Sequence, residues 1–249
     1  MKIKVILVVI ICFIIGFLAG YFVGGILGDD DDDGGSGSGS PYEPFIDPNN
    51  FVDYIDNKYL PYKPGTTLYY EGMSEDEKVE IKITVTNETR VVMGVRFIVV
   101  RDTEHIDGEL EEDTHDWFAQ DIYGNVWYFG EDSKEYEDGE LSSTAGSWES
   151  GVDGALPGII MFGNPLASVS YRQEYYKGEA EDMAEIIGLN ETKTVSYGEF
   201  DNVLKTREWT PLEPDVEEHK YYAPGIGVIY EEAVKGDEEY VELIDIEEE

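Results

Sequence analysis

Apolar and polar residues alternate along much of the chain that follows residue 41, which is the pattern of half-buried strands. Between Val79 and Val85 every second residue is aliphatic, and the residues between them are charged or threonine. This spacing predicts a strand with one buried face. From Val95 to Val100 the apolar residues occupy both phases of the alternation, so we expect this strand to be buried on both faces for part of its length.

Further strands are predicted where the same alternation recurs between turn residues. The turn residues are pairs of Gly, Asn and Asp, which adopt the backbone conformations of tight turns. These pairs are Asp107-Gly108, Gly124-Asn125, Asp138-Gly139 and Gly236-Asp237. The strand candidates after residue 120 are DIYGNVWYFGE, VSYRQEYY, TKTVSYGEF, NVLKTREW, HKYYAPGIGVIYEE and YVELIDI.

Helix signals are few. FVDYIDNKYL (residues 51–60) is predicted as one short helix and GEAEDMAEIIGL (residues 178–189) as a second, although the alternation in the latter also fits a strand. The segment from Ser142 to Pro165 is rich in Gly, Ser and Pro and is predicted as a long loop. About ten strands with short turns predict a mainly β fold, either a curved antiparallel sheet or an open barrel, with one or two short helices.

The N-terminus departs from this pattern with an uninterrupted apolar run. The residues from Val5 to Gly28 carry no charge, Lys2 and Lys4 precede them, and five aspartates follow. A helix of this length spans roughly 36 Å, enough to cross a bilayer core, and basic residues stay on the cytoplasmic side. We therefore expect a single-pass transmembrane signal-anchor at residues 1–28, with the N-terminus inside the cell. A cleavable signal peptide is the alternative.

Outside the membrane, residues 29–57 are expected to form an acidic Gly/Ser tether and lead-in to an extracellular β domain at residues 58–249. Within the anchor, a glycine at every fourth position lies on one helix face, where a second helix can approach closely and form a homo-oligomer. These glycines are Gly16, Gly20, Gly24 and Gly28.

Charge narrows the choice of partners. The chain has 55 acidic and 17 basic residues and a formal net charge of −38. Such a field repels nucleic-acid phosphates and anionic lipids and attracts cations and basic partners, although a high-salt habitat would favour the same acidity. The single cysteine, Cys12, lies in the apolar run, so the outer domain must be held together by its core. Asn87 and Asn190 each begin a sequon and are predicted glycosylation sites if the organism has the machinery.

Long motifs follow one another in a fixed order between residues 58 and 245. The most distinctive are PYKPGTT (61–67), DWFAQDIYGNVWYFGE (116–131) and YYAPGIGVIYEE (221–232). They resemble an uncharacterised family of exported and lipoprotein-type β domains found in bacteria and archaea. This resemblance implies an exported β domain and no particular activity. The last motif is also similar, at the level of the fold alone, to the curved antiparallel sheets of periplasmic lipoprotein carriers.

Standard catalytic signatures such as GxSxG, HExxH, a phosphate-binding Gly loop and CxxC are missing from the sequence. Carboxylate pairs of the kind that a glycosidase uses are unavoidable in so acidic a chain, so enzyme activity is less favoured than binding. No cofactor is expected except calcium, which four oxygen-bearing side chains could bind if two strands and a turn bring them together. These residues are Asp113, Asp116, Asp121 and Asn125.

Aromatic residues on the adjacent predicted strands DWFAQD and VWYFGE indicate where a ligand would bind. One aromatic row should pack in the core, and the other could line a cleft beside carboxylates. Trp148 falls in the predicted long loop and is expected to be a lid or contact residue, because a loop tryptophan lacks an automatic packing role. The predicted ligand-binding residues are Trp117, Trp127, Tyr128, Glu131, Trp148, Tyr171 and Glu174.

The sequence therefore favours a membrane-anchored extracellular binding or interaction module with an unknown ligand. Two alternatives stay open: a carrier or sensor that holds an apolar small molecule inside the curved sheet, and a carboxylate-based glycan hydrolase. An unfilled apolar cavity of several hundred Å³ would favour the carrier. Two carboxylates about 5–10 Å apart across a cleft would favour the hydrolase.

Overall fold

Antiparallel pairing organises the computed structural model, which describes residues 42–236 and 238–249. Seventeen strands of these residues join one sheet. The strands are β1 (Phe51–Val52), β2 (Thr66–Ser74), β3 (Glu77–Val92), β4 (Val95–Ile106), β5 (Glu109–Asp121), β6 (Val126–Asp132), β7 (Glu135–Glu137), β8 (Glu140–Ser143), β9 (Trp148–Glu149), β10 (Leu156–Met161), β11 (Ser170–Arg172), β12 (Glu174–Tyr175), β13 (Met183–Val195), β14 (Gly198–Trp209), β15 (Glu217–Ala223), β16 (Gly227–Lys235) and β17 (Glu239–Glu248). The one helix in the described residues is the 3₁₀ turn Pro48–Asn50, which is capped by the side chain of Asp47.

The sheet closes on itself. Strands β2 to β6 are consecutive antiparallel neighbours, and β13 to β17 form a second such run. The two runs are joined on one side by the pairing of β17 with β2. On the other side β10 pairs with β6 and β12, and β11 pairs with β13. The result is a barrel-like sheet with an inner and an outer face.

The strand predictions are confirmed where the alternation is strongest. The aliphatic residues from Val79 to Val85 point inward from β3 and are at most 5% exposed. Strand β4 is buried on both faces from Phe97 to Val100. The pairs Asp107-Gly108 and Asp138-Gly139 form turns in which both residues have positive φ, as the turn prediction requires.

Both helix predictions are wrong. Residues 51–60 begin with β1, which pairs with β5, and continue as an irregular segment. The buried Asn57 side chain accepts hydrogen bonds from the N–H groups two and three residues later and donates to the carbonyls of Gly124 and Phe162. Residues 178–189 lead into the long strand β13, so the alternative interpretation of that segment is the correct one.

The predicted long loop from Ser142 to Pro165 is only partly irregular. It contains β9, which pairs with β6, and β10, which closes the sheet between β6 and β12. The glycine content predicted a loop, but Gly158 lies within strand β10. Glycine is required there because the backbone of Gln173 approaches too closely for any Cβ atom.

Two hydrophobic cores flank the sheet. The main core fills the interior with aliphatic and tyrosine side chains. A smaller core lies on the outer face, where Phe97, Trp117 and Phe129 are covered by Ile46 and Phe51 of the N-terminal segment. The lead-in assigned from the sequence therefore packs against the domain along part of its length.

The predicted anchor at residues 1–28, its glycine stripe and the acidic part of the tether lie outside the described residues. In the part of the chain that the structure describes, no helix has the length and apolar character needed to cross a membrane.

Candidate functional site

Carboxylates line one end of the sheet interior. The inward-facing residues change from apolar to acidic toward the ends of β4, β14 and β16 and toward the starts of β5, β15 and β17. Neighbouring strands run in opposite directions, so all of these termini lie at the same end of the sheet. We call this region the acidic chamber, and its carboxylates are Asp102, Glu104, Glu112, Asp116, Glu131, Glu174, Asp182, Glu208 and Glu231.

Several of these carboxylates are direct neighbours. Glu104 lies opposite Glu112 across β4 and β5, and Asp116 lies opposite Glu131 across β5 and β6. Tyr128 bridges the second pair, with its Oη 2.8 Å from Asp116 Oδ1 and 2.9 Å from Glu131 Oε2. A phenol has one proton to donate, so one of the two carboxyl groups must itself carry a proton when both hydrogen bonds are made.

Burial raises the pKa values of the chamber carboxyl groups, and their mutual repulsion raises them further. Burial is the largest influence on Asp116, whose pKa is about 8; the hydrogen bond from Tyr128 opposes this shift and the charge of Glu112 adds to it. The pKa of Asp182 is about 7, again chiefly because of burial, although hydrogen bonding and Lys220 lower it. The chamber therefore retains protons at neutral pH.

Lys220 is the one lysine or arginine that is buried among the described residues. Its Nζ lies 3.3 Å from Glu208 Oε2 and 3.7 Å from Glu231 Oε2. Burial alone would lower the pKa of Lys220, but the surrounding carboxylates outweigh burial and raise it. Glu208 also accepts hydrogen bonds from the hydroxyl groups of Thr206 and Tyr222, so the charge around Lys220 is well compensated.

Glu174, in β12, lacks such compensation. Its side chain is fully buried, and neither carboxyl oxygen makes a hydrogen bond of normal geometry. The indole Nε1 of Trp148, which is also buried, makes none either. Burial raises the pKa of Glu174 well above its ordinary range, the charges of Asp182 and Glu131 raise it further, and the nearby N–H groups of Asp182 and Trp148 oppose the shift. A buried carboxylate without partners is costly, so this position favours a proton or a cation beside it.

Four of the predicted ligand-binding residues meet in the acidic chamber: Tyr128, Glu131, Trp148 and Glu174. Trp148 lies opposite Glu131 across β6 and β9, and its ring packs edge-on against Tyr128 at a centroid distance of 5.3 Å. Trp148 lies in β9 and is only 4% exposed, so it belongs to the wall of the chamber and not to a loop over it. Tyr171 is buried in the main core.

The two remaining aromatic candidates face outward. Trp117 belongs to the outer core, and the Arg90 guanidinium lies 3.9 Å from its ring centroid. Trp127 donates a hydrogen bond from Nε1 to Asp121 Oδ2 at 2.9 Å and packs against Phe51. Strand alternation places both rings on the face opposite the chamber.

The four residues predicted to bind calcium do not converge. Asp113 and Asp116 are three positions apart on β5 and therefore face opposite sides of the sheet, and Asp113 forms a bidentate ion pair with Arg101. Asp121 closes the turn before β6, where it accepts hydrogen bonds from the turn backbone and from the Asn125 amide. Within the described ranges, no group of three or more His, Cys, Asp or Glu side chains is arranged to hold a metal ion.

Both predicted glycosylation sites lie on the surface. Asn87, in β3, and Asn190, in β13, are exposed, so a sugar attached to either would not displace the core. Their modification stays a prediction.

The chamber residues contributed by the second run of strands were not among the predicted site residues. Glu208, Lys220 and Glu231 occupy inward positions of β14, β15 and β16, in phase with the apolar residues Leu204 and Tyr222. A charged residue in the apolar phase of a predicted strand is the signal that would have found them.

Two depressions bear on the binding of a ligand. An apolar one, lined mainly by Leu, Ile, Val and Tyr side chains of the main core, encloses about 20 Å³, which is room for about one water molecule. The other is a shallow indentation bordered by Glu218, Glu231, Glu239 and Tyr240, and by the same measure it has no room for a water molecule. One of its lining residues, Glu231, belongs to the acidic chamber.

No protein-family model matches the chain, and no curated protein matches it in sequence. Two solved structures resemble it. One is from Bacteroides fragilis and is described as an exported protein with a YmcC-like fold; it is 14% identical, with a TM-score of 0.46 over 77% of this chain and 100% of the other. The second is described as a lipoprotein of Parabacteroides distasonis and is 14% identical, with a TM-score of 0.44 over 77% of this chain and 99% of the other. Likeness at this level carries no inference about function or location.

Proposed function

We propose that this protein is a membrane-anchored, outward-facing binding module that takes a cationic ligand into the acidic chamber in exchange for protons. The observation that supports this proposal best is Glu174, a fully buried carboxyl group whose oxygens make no hydrogen bond of normal geometry and which lies among further acids. A cation beside it would satisfy the carboxylate and reduce the repulsion from its neighbours. Protons serve the same purpose while no ligand is bound.

The composition of the chamber supports a cation over other ligand classes. Its carboxyl groups far outnumber the single buried lysine of the described residues, so an anionic ligand would add repulsion to an already unfavourable field. A saline habitat favours acidic residues on the surface of a protein and gives no reason to bury them. The buried acids therefore call for an explanation of their own, and cation binding supplies one.

The carrier alternative receives less support from the geometry. The apolar depression encloses about 20 Å³, whereas sites for small molecules typically measure about 300–1,000 Å³. Side chains of the main core already fill the space in which an apolar molecule would lie.

The hydrolase alternative has one observation in its favour. Asp116 and Glu131 contact the same Tyr128 oxygen at 2.8 and 2.9 Å, so the separation of about 5–5.5 Å found in retaining glycosidases is within their reach. Both residues are only 3% exposed, however, and Trp148 lies opposite Glu131, so a sugar ring would have to displace that side chain. Burial of this kind favours binding of a small cation over catalysis on a glycan.

The anchored, outward-facing location follows from the sequence. The apolar run from Val5 to Gly28, the lysines before it and the acidic tether after it support a single span with the N-terminus inside. Because these residues lie outside the described ones, this part of the proposal rests on the sequence alone.

Thermal unfolding of the full chain in a non-ionic detergent tests the proposal. At pH 8 and matched ionic strength, chloride salts of sodium, calcium and 1,4-diaminobutane are compared. A bound cation at about 100 times its Kd stabilises the folded state by about 2.7 kcal/mol, which raises Tm by roughly 5–10 °C.

We expect Glu174→Gln to lose this gain, and Glu140→Gln, a matched change at an exposed position in β8, to keep it. Equal melting temperatures in all three salts would contradict cation binding.

A further inference from the structure

Building on the proposed function, we infer that the ligand carries an organic ammonium group, which binds between Glu131, Glu174 and Asp182 beside the Trp148 ring. We call these four residues the ammonium subsite. The features that point to it are the way in which the chamber holds Lys220, the unpartnered polar atoms of the subsite, and the aromatic rings beside them.

Lys220 shows how this fold holds an alkylammonium group. Its Nζ is placed between Glu208 and Glu231 at 3.3 and 3.7 Å, inside the sheet and almost without solvent contact. The ammonium subsite offers carboxyl groups of the same kind in the same chamber, where Asp182 raises the pKa of both Glu131 and Glu174 and Glu131 raises that of Glu174 further. A ligand ammonium would give this second group of acids the compensation that Lys220 gives the first.

The atoms without a well-formed hydrogen bond mark where the ligand group would lie. Both carboxyl oxygens of Glu174 and the Nε1 of Trp148 are buried without a hydrogen bond of normal geometry, although the N–H groups of Trp148 and Asp182 lie close enough to oppose the rise in the pKa of Glu174. An ammonium group has three N–H donors, so it can satisfy the two oxygens of Glu174 and still contact Glu131 or Asp182. Once Glu174 is ionised by the exchange, it also becomes a better acceptor for the Trp148 N–H.

The aromatic rings favour an organic ammonium over a compact metal ion. Trp148 and Tyr128 pack edge-to-face next to the carboxyl groups, and ammonium groups gain from contact with such rings. The protein already uses this contact elsewhere, with Lys193 Nζ 3.2 Å from the ring centroid of Tyr230. Calcium instead takes six to eight oxygen ligands and gains nothing from an indole.

Protonation connects the subsite with the rest of the chamber. Glu218, which borders the shallow indentation beside Glu231, raises the pKa of Asp182 by its charge. Ammonium binding must displace protons from the subsite acids, and affinity should rise about tenfold per pH unit for each proton released. The charged and titratable groups that face the subsite are Glu112, Asp116, Tyr128, Glu208, Glu218 and Lys220.

Isothermal titration calorimetry of the full chain in a non-ionic detergent tests the inference. The protein is titrated at pH 8 with 1,4-diaminobutane dihydrochloride and, separately, with calcium chloride, at matched ionic strength. Repeating the diamine titration in two buffers of different ionisation enthalpy counts the protons released. We expect saturable diamine binding with release of at least one proton, and affinity about tenfold lower at pH 7.

Two substitutions locate the site. Glu174→Gln keeps the size of the side chain and removes its charge, and we expect it to weaken diamine binding at least tenfold. Trp148→Leu removes the aromatic ring and should weaken it about threefold or more. Glu140→Gln, on the exposed strand β8, should leave the affinity unchanged. Far-UV circular dichroism of each variant verifies that the sheet is intact. We expect Glu174→Gln to fold in every condition, because glutamine is uncharged like the protonated acid that it replaces.

The outcomes separate the inference from the proposed function. Calcium binding with proton release but no diamine binding would overturn the ammonium subsite and leave the cation-binding function standing. Diamine binding that is unchanged in Glu174→Gln would place the ligand elsewhere and refute the subsite. Absence of binding by either cation would refute both.

Discussion

Replacing Asp116 with asparagine should stabilise the protein at pH 8 and have a much smaller stabilising effect at pH 5. Asp116 is 3% exposed in the acidic chamber and shares the Tyr128 hydroxyl with Glu131. Below its pKa the side chain is neutral, and asparagine imitates that form with similar shape and hydrogen-bonding capacity. Above its pKa the wild-type side chain becomes a buried anion, and the variant does not.

The sign and the size of the effect follow from the pKa of Asp116, which is raised from 3.8 to about 8, chiefly by burial. Between these two values the folded state binds more protons than the unfolded state, so the stability contributed by this group is fully present below pH 3.8 and is lost as pH rises through about 8. At about 1.4 kcal/mol per pKa unit, the loss by pH 8 is on the order of 5 kcal/mol. Water that enters the chamber on ionisation reduces this value, and we expect the variant to recover roughly half of it.

The assay is thermal unfolding of the full chain in a non-ionic detergent, followed by circular dichroism at pH 5, 6, 7 and 8. A gain of about 2–3 kcal/mol corresponds to a rise in Tm of roughly 5–10 °C at pH 8. Asp113→Asn is the matched control, because Asp113 lies three residues away on the opposite face of the same strand. Burial opposes the shift there, but the hydrogen bonds and charge of Arg101 outweigh it and lower the pKa of Asp113. Asp113→Asn should therefore reduce stability above pH 4.

A Tm difference between wild type and Asp116→Asn that stays constant from pH 5 to pH 8 would refute the account of a proton-bearing chamber. The same conclusion would follow if Asp116→Asn and Asp113→Asn shifted the Tm in the same direction at pH 8, because the account assigns them opposite signs.

Three further predictions address the core and the framework. Lys220→Met leaves buried carboxylates uncompensated and should cost about 3–5 kcal/mol at pH 8 but much less at pH 5, as measured by melting at both values. Gly72→Ala would place a Cβ atom 1.8 Å from the Tyr240 carbonyl oxygen, so we expect loss of soluble folded protein, whereas Gly139→Ala, at φ +77° with open space around it, should cost only about 1–2 kcal/mol. Asn57→Ala removes four hydrogen bonds to backbone groups and should cost about 2–4 kcal/mol, with faster amide hydrogen exchange in the irregular segment that follows β1.

The strands and several turns of this fold could be predicted from local sequence because their cause is local. Alternation between Val79 and Val85 requires only that one face of a strand meet a core, and Asp107-Gly108 requires only a turn with positive φ. The helix prediction for residues 51–60 was wrong because the interactions that determine this segment's structure are with residues distant in sequence. Pairing with β5 and the contacts of Asn57 with backbone groups more than sixty residues away outweigh a weak local preference.

The candidate site, too, depends partly on local sequence and partly on tertiary structure. The sequence by itself supplied the chemistry: a large excess of acids, and aromatic residues such as Tyr128 and Trp148 that are numerous enough to flank them. It could not show that Glu131 and Glu174 face the same interior while Asp113 faces away, because that depends on strand register and on closure of the sheet between β6 and β13. A shift of one residue in register exchanges the two faces of a strand. Pairing across the closed sheet therefore decided which carboxylates became buried neighbours, and burial is what gives them raised pKa values and a need for protons or cations.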